Sequence, residues 1–217
     1  MLKKFWRARF FKYYHQHGFI GTVGRIFREI WLVISKKRFV LYYVDLPISS
    51  TDKRTFPSNV QVLPKYNMEE INTDEMNVLA SYRGIDVIKY HAKKRFDKGA
   101  ILWLAKIDGK TAGMIWSLRG RTMEPYYFFL TDNDVHLFDN EIFKDYRGRG
   151  INTVLIERVL LELKNMGAIR AFISTNLRNK AEQRSLGKTS FKKFALARKF
   201  HILNRDISIW SKTATDL

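Results

Sequence analysis

Residues 138–166 read FDNEIFKDYRGRGINTVLIERVLLELKNM, which predicts a strand, a glycine turn and a long amphipathic helix in that order. The strand-like run ends at Phe143, and the helix follows Gly150. Glycine permits backbone angles that other residues avoid and lets a ligand approach the backbone closely. Amide groups at the start of a helix, with the helix dipole behind them, attract anions. The stretch indicates a phosphate site or, as the simpler alternative, a basic turn without a ligand.

The segments on either side of this stretch predict an α+β domain. Residues 168–175 are nearly all apolar, as expected of a strand that is buried on both faces and parallel to its predecessor. Asp108-Gly109 between apolar runs predicts a hairpin. Two helices are expected between residues 72 and 99, and a short one at 179–186. The other predicted strands lie at 38–46, 60–63, 100–107, 110–118, 126–130, 135–143, 191–203 and 206–210.

The net charge of +18 predicts an anionic partner. Half of that charge lies in residues 1–40, where ten lysines and arginines accompany one acid. Apolar and aromatic residues recur there with helical spacing, which favours an amphipathic helical extension at 1–37 that lies on a membrane surface, ahead of a folded domain at 38–217. Packing of these aromatic residues within the protein and binding of RNA stay open as alternatives.

The residue types of the chain also exclude several kinds of site. The absence of cysteine excludes disulfides, thiolate metal ligands and cysteine nucleophiles, and it fits a reducing compartment. The five histidines lie far apart and show no metal-ligand spacing, so no metal is expected. Charges interrupt every candidate signal peptide, and no run approaches the roughly 18 apolar residues that span a bilayer. We therefore expect a cytoplasmic protein, peripheral on the inner face of the membrane.

The turn itself carries a recognisable pattern, because Arg147 to Asn152 spell Arg-x-x-Gly-x-Asn. This turn and its helix resemble the acyl-CoA motif of the GNAT superfamily of N-acetyltransferases, Arg/Gln-x-x-Gly-x-Gly/Ala. Asn152 replaces the last small residue. The residues that match the family pattern are Ile142, Asp145, Tyr146, Arg147 and Gly150.

The resemblance continues downstream. Asn176 ends the buried strand, and the segment from Asn179 to Phe191 is similar to the family's Asn-x-x-Ser-x-x-Ser-x-x-Lys-x-Gly-Phe. Ser190 replaces the glycine of that pattern. Together the two segments and the order of the elements extend the resemblance over residues 38–210.

The family resemblance implies a mixed, mostly antiparallel sheet that is splayed at its central parallel pair and flanked by helices. It also implies acyl-CoA as co-substrate. The pantetheine arm would lie in the splay beside residues 138–143, and the pyrophosphate would lie on the amides of 147–152. The implied donor-binding residues are Ile142, Phe143, Arg147, Gly148, Arg149, Gly150, Ile151, Asn152, Asn176 and Asn179.

Acyl transfer to an amine requires removal of a proton from the nitrogen, and a backbone N–H near Ile142 or Phe143 would stabilise the oxyanion. The candidate bases on the motif strand are Glu141, which we favour, His136 and Asp139. Alternation puts Asp139 and Glu141 on one face and His136 on the other, unless a bulge changes the parity. Many relatives have a tyrosine that protonates the thiolate, and Leu186 stands in that place here. Either another group donates this proton or none is needed.

The predicted function is transfer of an acyl group, most simply acetyl, from acyl-CoA to a primary amine. An amino sugar or amino-lipid of envelope or polysaccharide metabolism would suit an enzyme at the membrane surface. An acidic acyl carrier protein is an alternative donor that the basic surface would attract. The competing hypothesis is a non-catalytic module of the same fold that binds membrane, acyl carrier protein or RNA, with nucleic acid the least favoured partner.

Overall fold

The computed structural model describes residues 38–46, 59–124, 126–202 and 205–212, together with the glycines at 18, 21 and 24. The predicted helical extension at 1–37 otherwise lies outside the described residues, so its membrane role and its boundary stay predictions. Contacts divide the chain into a larger unit, Phe39–Ala197 with Trp210–Leu217, and a smaller unit, Met1–Arg38 with Arg198–Ile209. The candidate site belongs to the larger unit.

Eight strands form one sheet among the described residues, in the order β2-β3-β4-β5-β6-β1-β7-β8. The central neighbours β5 and β6 are parallel, and the sheet is otherwise mostly antiparallel, as predicted. The strands are β1 (Arg38–Asp45), β2 (Val60–Lys65), β3 (Ile101–Ile107), β4 (Lys110–Arg119), β5 (Asp134–Ile142), β6 (Arg170–Asn176), β7 (Lys192–Ile202) and β8 (Arg205–Lys212).

Four α-helices accompany the sheet in the described part of the chain. They are α1 (Thr73–Arg83), α2 (Ile85–Phe96), α3 (Ile151–Asn165) and α4 (Lys180–Leu186), and a short 3-10 helix at Lys144–Tyr146 precedes α3. Each helix lies where the sequence predicts one. The predicted α+β class is therefore confirmed.

Apolar side chains cover both faces of the sheet. On one face α3 buries a stripe that includes Val154, Leu155, Val159 and Leu160 against the central strands. On the other face α1 and α2 bury side chains such as Leu79, Ile88 and Ala92. The sheet thus has an α3 face and an α1–α2 face. A ligand that passed between β5 and β6 would reach from one of these faces to the other.

One predicted strand is wrong. Residues 126–130 form no strand. Tyr127 is buried in an apolar cluster with Leu41 and Ala195. The physical reason is that β4 and β6 already occupy both sides of β5, so the aromatic run has no free edge beside β5 and packs on the sheet instead.

The start of α1 is fixed by a buried carboxylate. Asn72 Oδ1 accepts a hydrogen bond from the Glu75 amide at 2.9 Å, and the Asn72 amide donates to Glu75 Oε2 at 3.0 Å. Glu75 also pairs with Lys65 on β2 at 3.0 Å and with Lys106 on β3 at 2.7 Å. Burial alone would raise the pKa of Glu75, but the hydrogen bonds from Lys106, Lys65 and the Asn72 amide, with the charge of Lys65, together lower it.

Candidate active site

The strands β5 and β6 pair over a short distance and then separate. Their parallel register runs from Asp134 opposite Arg170 to Leu137 opposite Ile173. Beyond these residues β5 continues along β4 and β6 continues along β1. A cleft therefore opens between the carboxyl-terminal halves of the two central strands, which confirms the predicted splay.

An ion pair closes the base of this cleft. Arg170 donates to both oxygens of Asp134, from Nε at 2.7 Å and from Nη2 at 3.0 Å. Thr131 adds hydrogen bonds from its amide and its hydroxyl at 2.8 and 2.9 Å. Burial would raise the pKa of Asp134, but the hydrogen bond from Arg170 and those from Thr131 lower it on balance. The charged pair links the parallel strands where their pairing begins, and they diverge after Leu137 and Ile173.

A β-bulge interrupts β5 inside the cleft. Phe138 lies opposite Trp116 and Glu141 lies opposite Met114. An advance of three residues along β5 therefore matches an advance of two residues along β4. Asp139, in the bulge, has a φ of +51°. A positive φ is strained for a residue other than glycine, and such strain concentrates at functional sites.

The bulge changes the parity of His136 relative to Glu141. Directly opposed residues of an antiparallel pair share a face of the sheet. His136 lies opposite Leu118 and Glu141 opposite Met114, and both partners belong to the apolar cluster under α1 and α2. His136 and Glu141 therefore share one face, because the extra residue at the bulge shifts the alternation by one, which is the exception that the sequence-based prediction allowed.

The three candidate bases have different surroundings. The His136 ring packs against the rings of Tyr126 and Phe138, with centroids 4.7 and 5.3 Å away. Asp139 Oδ2 forms an ion pair with Arg95 Nη1 of α2 at 2.7 Å, so the charge of this carboxylate is already balanced by an arginine. Glu141 keeps a partly exposed carboxylate, whose Oε1 lies 3.9 Å from Arg147 Nη2. This geometry favours Glu141 among the three.

The glycine turn has the geometry of an anion site. Gly148 and Gly150 have φ values of +79° and +74°, which glycine adopts without strain. A Cβ atom at either position would meet open space. Gly150 caps α3 without a side-chain hydrogen bond, and the first turn of α3 carries no acid. The first amides of α3 therefore have no side-chain cap, which suits a phosphate.

The two arginines of the turn flank these amides. Arg147 Nε donates to the Ile142 carbonyl oxygen at 2.8 Å, which holds the turn against the end of β5. The Arg149 guanidinium lies 5.7 Å from the centroid of the Tyr146 ring. Both side chains bring positive charge to the start of α3.

The predicted asparagines lie around the cleft. Asn152 Nδ2 donates to Ser185 Oγ at 2.8 Å, which joins the start of α3 to α4. Asn176 ends β6, and its Oδ1 accepts from the Arg178 amide at 2.9 Å. Asn179 caps α4, and its Oδ1 accepts from the Glu182 amide at 3.2 Å. All three thus have structural roles at the walls of the candidate site.

Phe143 differs from the other predicted donor-binding residues. Its side chain is buried and stacks on Tyr82, with ring centroids 4.2 Å apart. Its amide donates to the Ala112 carbonyl oxygen at 2.9 Å. The Phe143 amide is thus already used within the sheet. Because successive amides of a strand point to alternate neighbours, the amide of Ile142 points toward the cleft.

Two buried oxygen atoms test whether the cleft fits a pantetheine arm. Within the described residues, Asn140 Oδ1 and Asn152 Oδ1 accept no hydrogen bond. A buried acceptor without a donor is costly, which favours a ligand that brings N–H or O–H groups. Pantetheine carries two amides and a hydroxyl. The residues present therefore fit the group that the fold implies.

Sequence reasoning missed one carboxylate at this cleft. Glu182 on α4 accepts hydrogen bonds from Asn179 Nδ2 at 2.9 Å and from Thr175 Oγ1 at the end of β6. The sequence does contain a signal for this residue. In the family pattern that begins at Asn179, Glu182 stands where the first serine is expected. A second departure has a structural explanation, because the Ser190 amide and hydroxyl both donate to the buried carboxylate of Glu157.

Comparison with known proteins identifies the family. A family model described as "Acetyltransferase (GNAT) family" matches residues 65–188. An uncharacterised N-acetyltransferase of Mycobacterium tuberculosis is 31% identical over 88 residues, which cover 41% of this chain and 50% of that protein. The chain thus spans half the length of this relative.

Solved structures agree on the fold. An acetyltransferase of the GNAT family from Colwellia psychrerythraea superposes with a TM-score of 0.51 at 14% identity, over 77% of this chain and 57% of that one. A glucosamine N-acetyltransferase region of a fungal multi-domain β-N-acetylglucosaminidase gives a TM-score of 0.52 at 13% identity, over 79% of this chain and 22% of that one. At these identities the likeness concerns the fold alone. With more than half of its residues matched by the family model, the chain belongs to the GNAT acetyltransferase family.

Proposed function

We propose that the protein is an N-acyltransferase that moves an acyl group, most simply acetyl, from acyl-CoA to a primary amine. The observation that carries the proposal is the cleft between β5 and β6, which opens beside the glycine turn and the start of α3. A thioester arm in the cleft and a pyrophosphate at the helix start would use both features at once. Membership of the GNAT family supports the same reaction.

Acyl-CoA supplies an acyl group activated as a thioester. The amides of 148–152 would hold its pyrophosphate, with Arg147 and Arg149 adding positive charge. Asn140 and Asn152 would accept hydrogen bonds from the pantetheine arm through their buried oxygens. Asn176 and Asn179 would shape the opposite wall through the turn between β6 and α4.

The amine would be activated on the α1–α2 face. Glu141 takes the proton from the attacking nitrogen, directly or through a water molecule. The amide of Ile142 points toward the cleft and would donate to the oxyanion that forms on the thioester carbonyl. His136 and Asp139 then serve as neighbours of the acceptor, because the His136 ring packs among aromatic rings and Asp139 is paired with Arg95.

The surroundings of the acceptor favour a substrate with an apolar or ring surface beside its amine. Trp116 and Phe138 lie under the Arg95 guanidinium, with ring centroids 4.9 and 5.3 Å from its central carbon. Trp116 is buried and Phe138 is partly exposed. The Phe138 ring is thus the aromatic surface that would suit the ring of an amino sugar or the hydrocarbon part of an amino-lipid. We propose such an amine, of envelope or polysaccharide metabolism, as the acceptor.

The charge of the chain supports a place at an anionic surface. None of the helices in the described ranges is long and apolar enough to span a bilayer. The net charge of +18 would attract the anionic inner face of the membrane or an acyl carrier protein. We propose a cytoplasmic enzyme that associates peripherally with that surface, with an acyl carrier protein as the alternative donor.

Calorimetric titration with acetyl-CoA tests the donor site. We expect binding to the wild type and a loss of about tenfold or more in Arg147→Ala, since a charge-assisted hydrogen bond contributes about 1.5–3 kcal/mol. Gly150→Asp, which places a negative charge at the start of α3, should abolish binding. The matched control is Lys98→Ala, an exposed lysine at the opposite end of the sheet, which should keep the wild-type affinity.

Mass spectrometry of a panel of primary amines incubated with acetyl-CoA then tests the reaction. Acylated product that requires the enzyme and disappears in Glu141→Gln supports the transferase. Acetyl-CoA binding without any acylated amine, across amino sugars and amino-lipids, would favour the non-catalytic module instead. The absence of acetyl-CoA binding would contradict both the donor site and the transferase.

A further inference from the structure

The carboxyl group of Glu182 lies between the separated strands. Its Oε2 accepts hydrogen bonds from Thr175 Oγ1 of β6 and from Asn179 Nδ2. On the opposite side of the cleft, the Asn140 side chain of β5 is close enough to lower the pKa of this carboxyl. Glu182 therefore connects β5 and β6 beyond Leu137 and Ile173, where their backbone pairing ends.

The β-bulge separates this carboxyl from the acceptor side. Asp139 is held by Arg95 of α2, on the α1–α2 face. The next residue, Asn140, interacts with Glu182 of α4. Asp139 thus contacts α2 on one face of the sheet, whereas Asn140 contacts α4 on the other. The reacting groups of donor and acceptor would meet between them, with Glu182 on the donor side.

The surroundings of Glu182 favour the protonated form of its carboxyl more than water does. Burial raises its pKa above the ordinary value of 4.5, and the hydrogen bonds from Thr175, Asn179 and Asn140 offset only part of this rise. The titratable group that faces it from β1 is Tyr42, whose pKa is raised by burial and then by the charge of Glu182. The neighbours from β5, β6 and the start of α4 are neutral amides and a hydroxyl.

Leu186 cannot supply a proton to the leaving group. It stands one helical turn after Glu182, where the family resemblance implies a tyrosine, and its side chain is fully buried among apolar residues under α3. Glu182 is the titratable side chain of α4 that reaches the cleft. The chain therefore offers a different acid on the same helix.

We propose that Glu182 is the catalytic acid that protonates the sulfur of the departing CoA, an assignment that rests on the proposed acyltransferase function. The amine nitrogen bonds to the thioester carbon, and the carbon–sulfur bond breaks with its electron pair on sulfur. Glu182 gives its proton to that sulfur, and Glu141 receives the proton lost by nitrogen. One proton leaves nitrogen and one joins sulfur, and exchange with solvent returns both carboxyls to their starting states.

The first test measures proton uptake by calorimetry, with CoA as the probe in buffers of different ionisation enthalpy. A pantetheine arm in the cleft removes remaining water from Glu182 and raises its pKa further, so the wild type should take up a fraction of a proton on binding. Glu182→Gln should bind CoA within about threefold of the wild type and take up none. The matched control is Glu157→Gln, which neutralises a buried glutamate that bonds Ser190 and should keep the wild-type proton uptake.

The second test follows the pH profile of acetyl-CoA hydrolysis, in which water stands in for the amine. Glu182→Gln should lower kcat by about 10²–10⁴-fold and remove the fall of the rate at high pH. Thr175→Val removes a hydrogen bond that lowers the pKa of Glu182, so the fall should move to higher pH. Glu157→Gln should keep the wild-type profile.

The outcomes separate this assignment from the donor site on which it rests. A Glu182→Gln variant that binds CoA and keeps the wild-type pH profile and proton uptake overturns the assignment while the donor site stands. If neither the wild type nor any variant binds CoA, both the proposed function and the assignment of Glu182 are wrong. Where Glu182→Gln does not fold, Thr175→Val decides, because an unmoved pH profile overturns the role of Glu182.

Discussion

Substitution of Asp134 by asparagine removes the charge that holds the base of the cleft. The side chain is 1% exposed and accepts four hydrogen bonds, two from Arg170 and two from Thr131. Breaking a buried ion pair costs about 3–5 kcal/mol, whereas an exposed pair contributes about 0.2–1 kcal/mol. Because the Arg170 side chain is 42% exposed, we expect Asp134→Asn to lower the free energy of unfolding by about 2–3 kcal/mol.

Urea denaturation measures this loss, with Asp97→Asn as the matched control. Asp97 pairs with Lys93 at 3.2 Å on the surface of α2, where both side chains are largely exposed, so the control should lose less than about 0.5 kcal/mol. The folded pKa of Asp134 is lowered, so its stabilising effect is present above the unfolded pKa and is lost as the pH falls through the folded pKa. Equal stability of Asp134→Asn and the wild type at neutral pH would refute this account of the cleft base.

Three further predictions concern other parts of the larger unit. Glu75→Gln should cost about 2–3 kcal/mol in urea denaturation; the folded pKa of Glu75 is lowered, so its difference from the wild type should shrink as the pH falls through that pKa. Gly113→Ala places a Cβ 2.6 Å from Ile142 Cδ1 and 2.7 Å from the Glu141 carbonyl oxygen, and we expect a loss of about 1–3 kcal/mol by the same assay. Arg95→Met should raise KM for the acceptor amine while CoA affinity, measured by calorimetry, stays within about twofold.

Local signals predicted the elements that form the proposed donor site. The strand, the glycine turn and the helix of residues 138–166 all lie where the sequence places them, because each has its own local cause. The two glycines need positive φ values, and α3 buries an apolar stripe of helical period. The separation of β5 from β6 followed from the family resemblance, since no local signal in either strand specifies where their pairing ends.

Features that depend on distant parts of the chain were harder to predict. The bulge at Asp139 moved His136 and Glu141 to one face, and it is stabilised in part by Arg95, more than forty positions earlier. Residues 126–130 have the composition of a strand but no free edge beside β5 to pair with. Glu182 could not be placed at the cleft from the sequence, because it lies there only through the contact of the short helix α4 with Thr175 of β6. In each case the deciding partner is close in space and remote in sequence.

A crystal structure of the protein with acetyl-CoA tests the central claim most directly. We predict a pyrophosphate on the amides of 148–152 and a pantetheine arm between β5 and β6, with the thioester beside the bulge and both Glu141 and Glu182 within reach of its reacting atoms. Acetyl-CoA bound elsewhere, or a cleft that closes so that β5 and β6 pair along their whole length, would contradict the account.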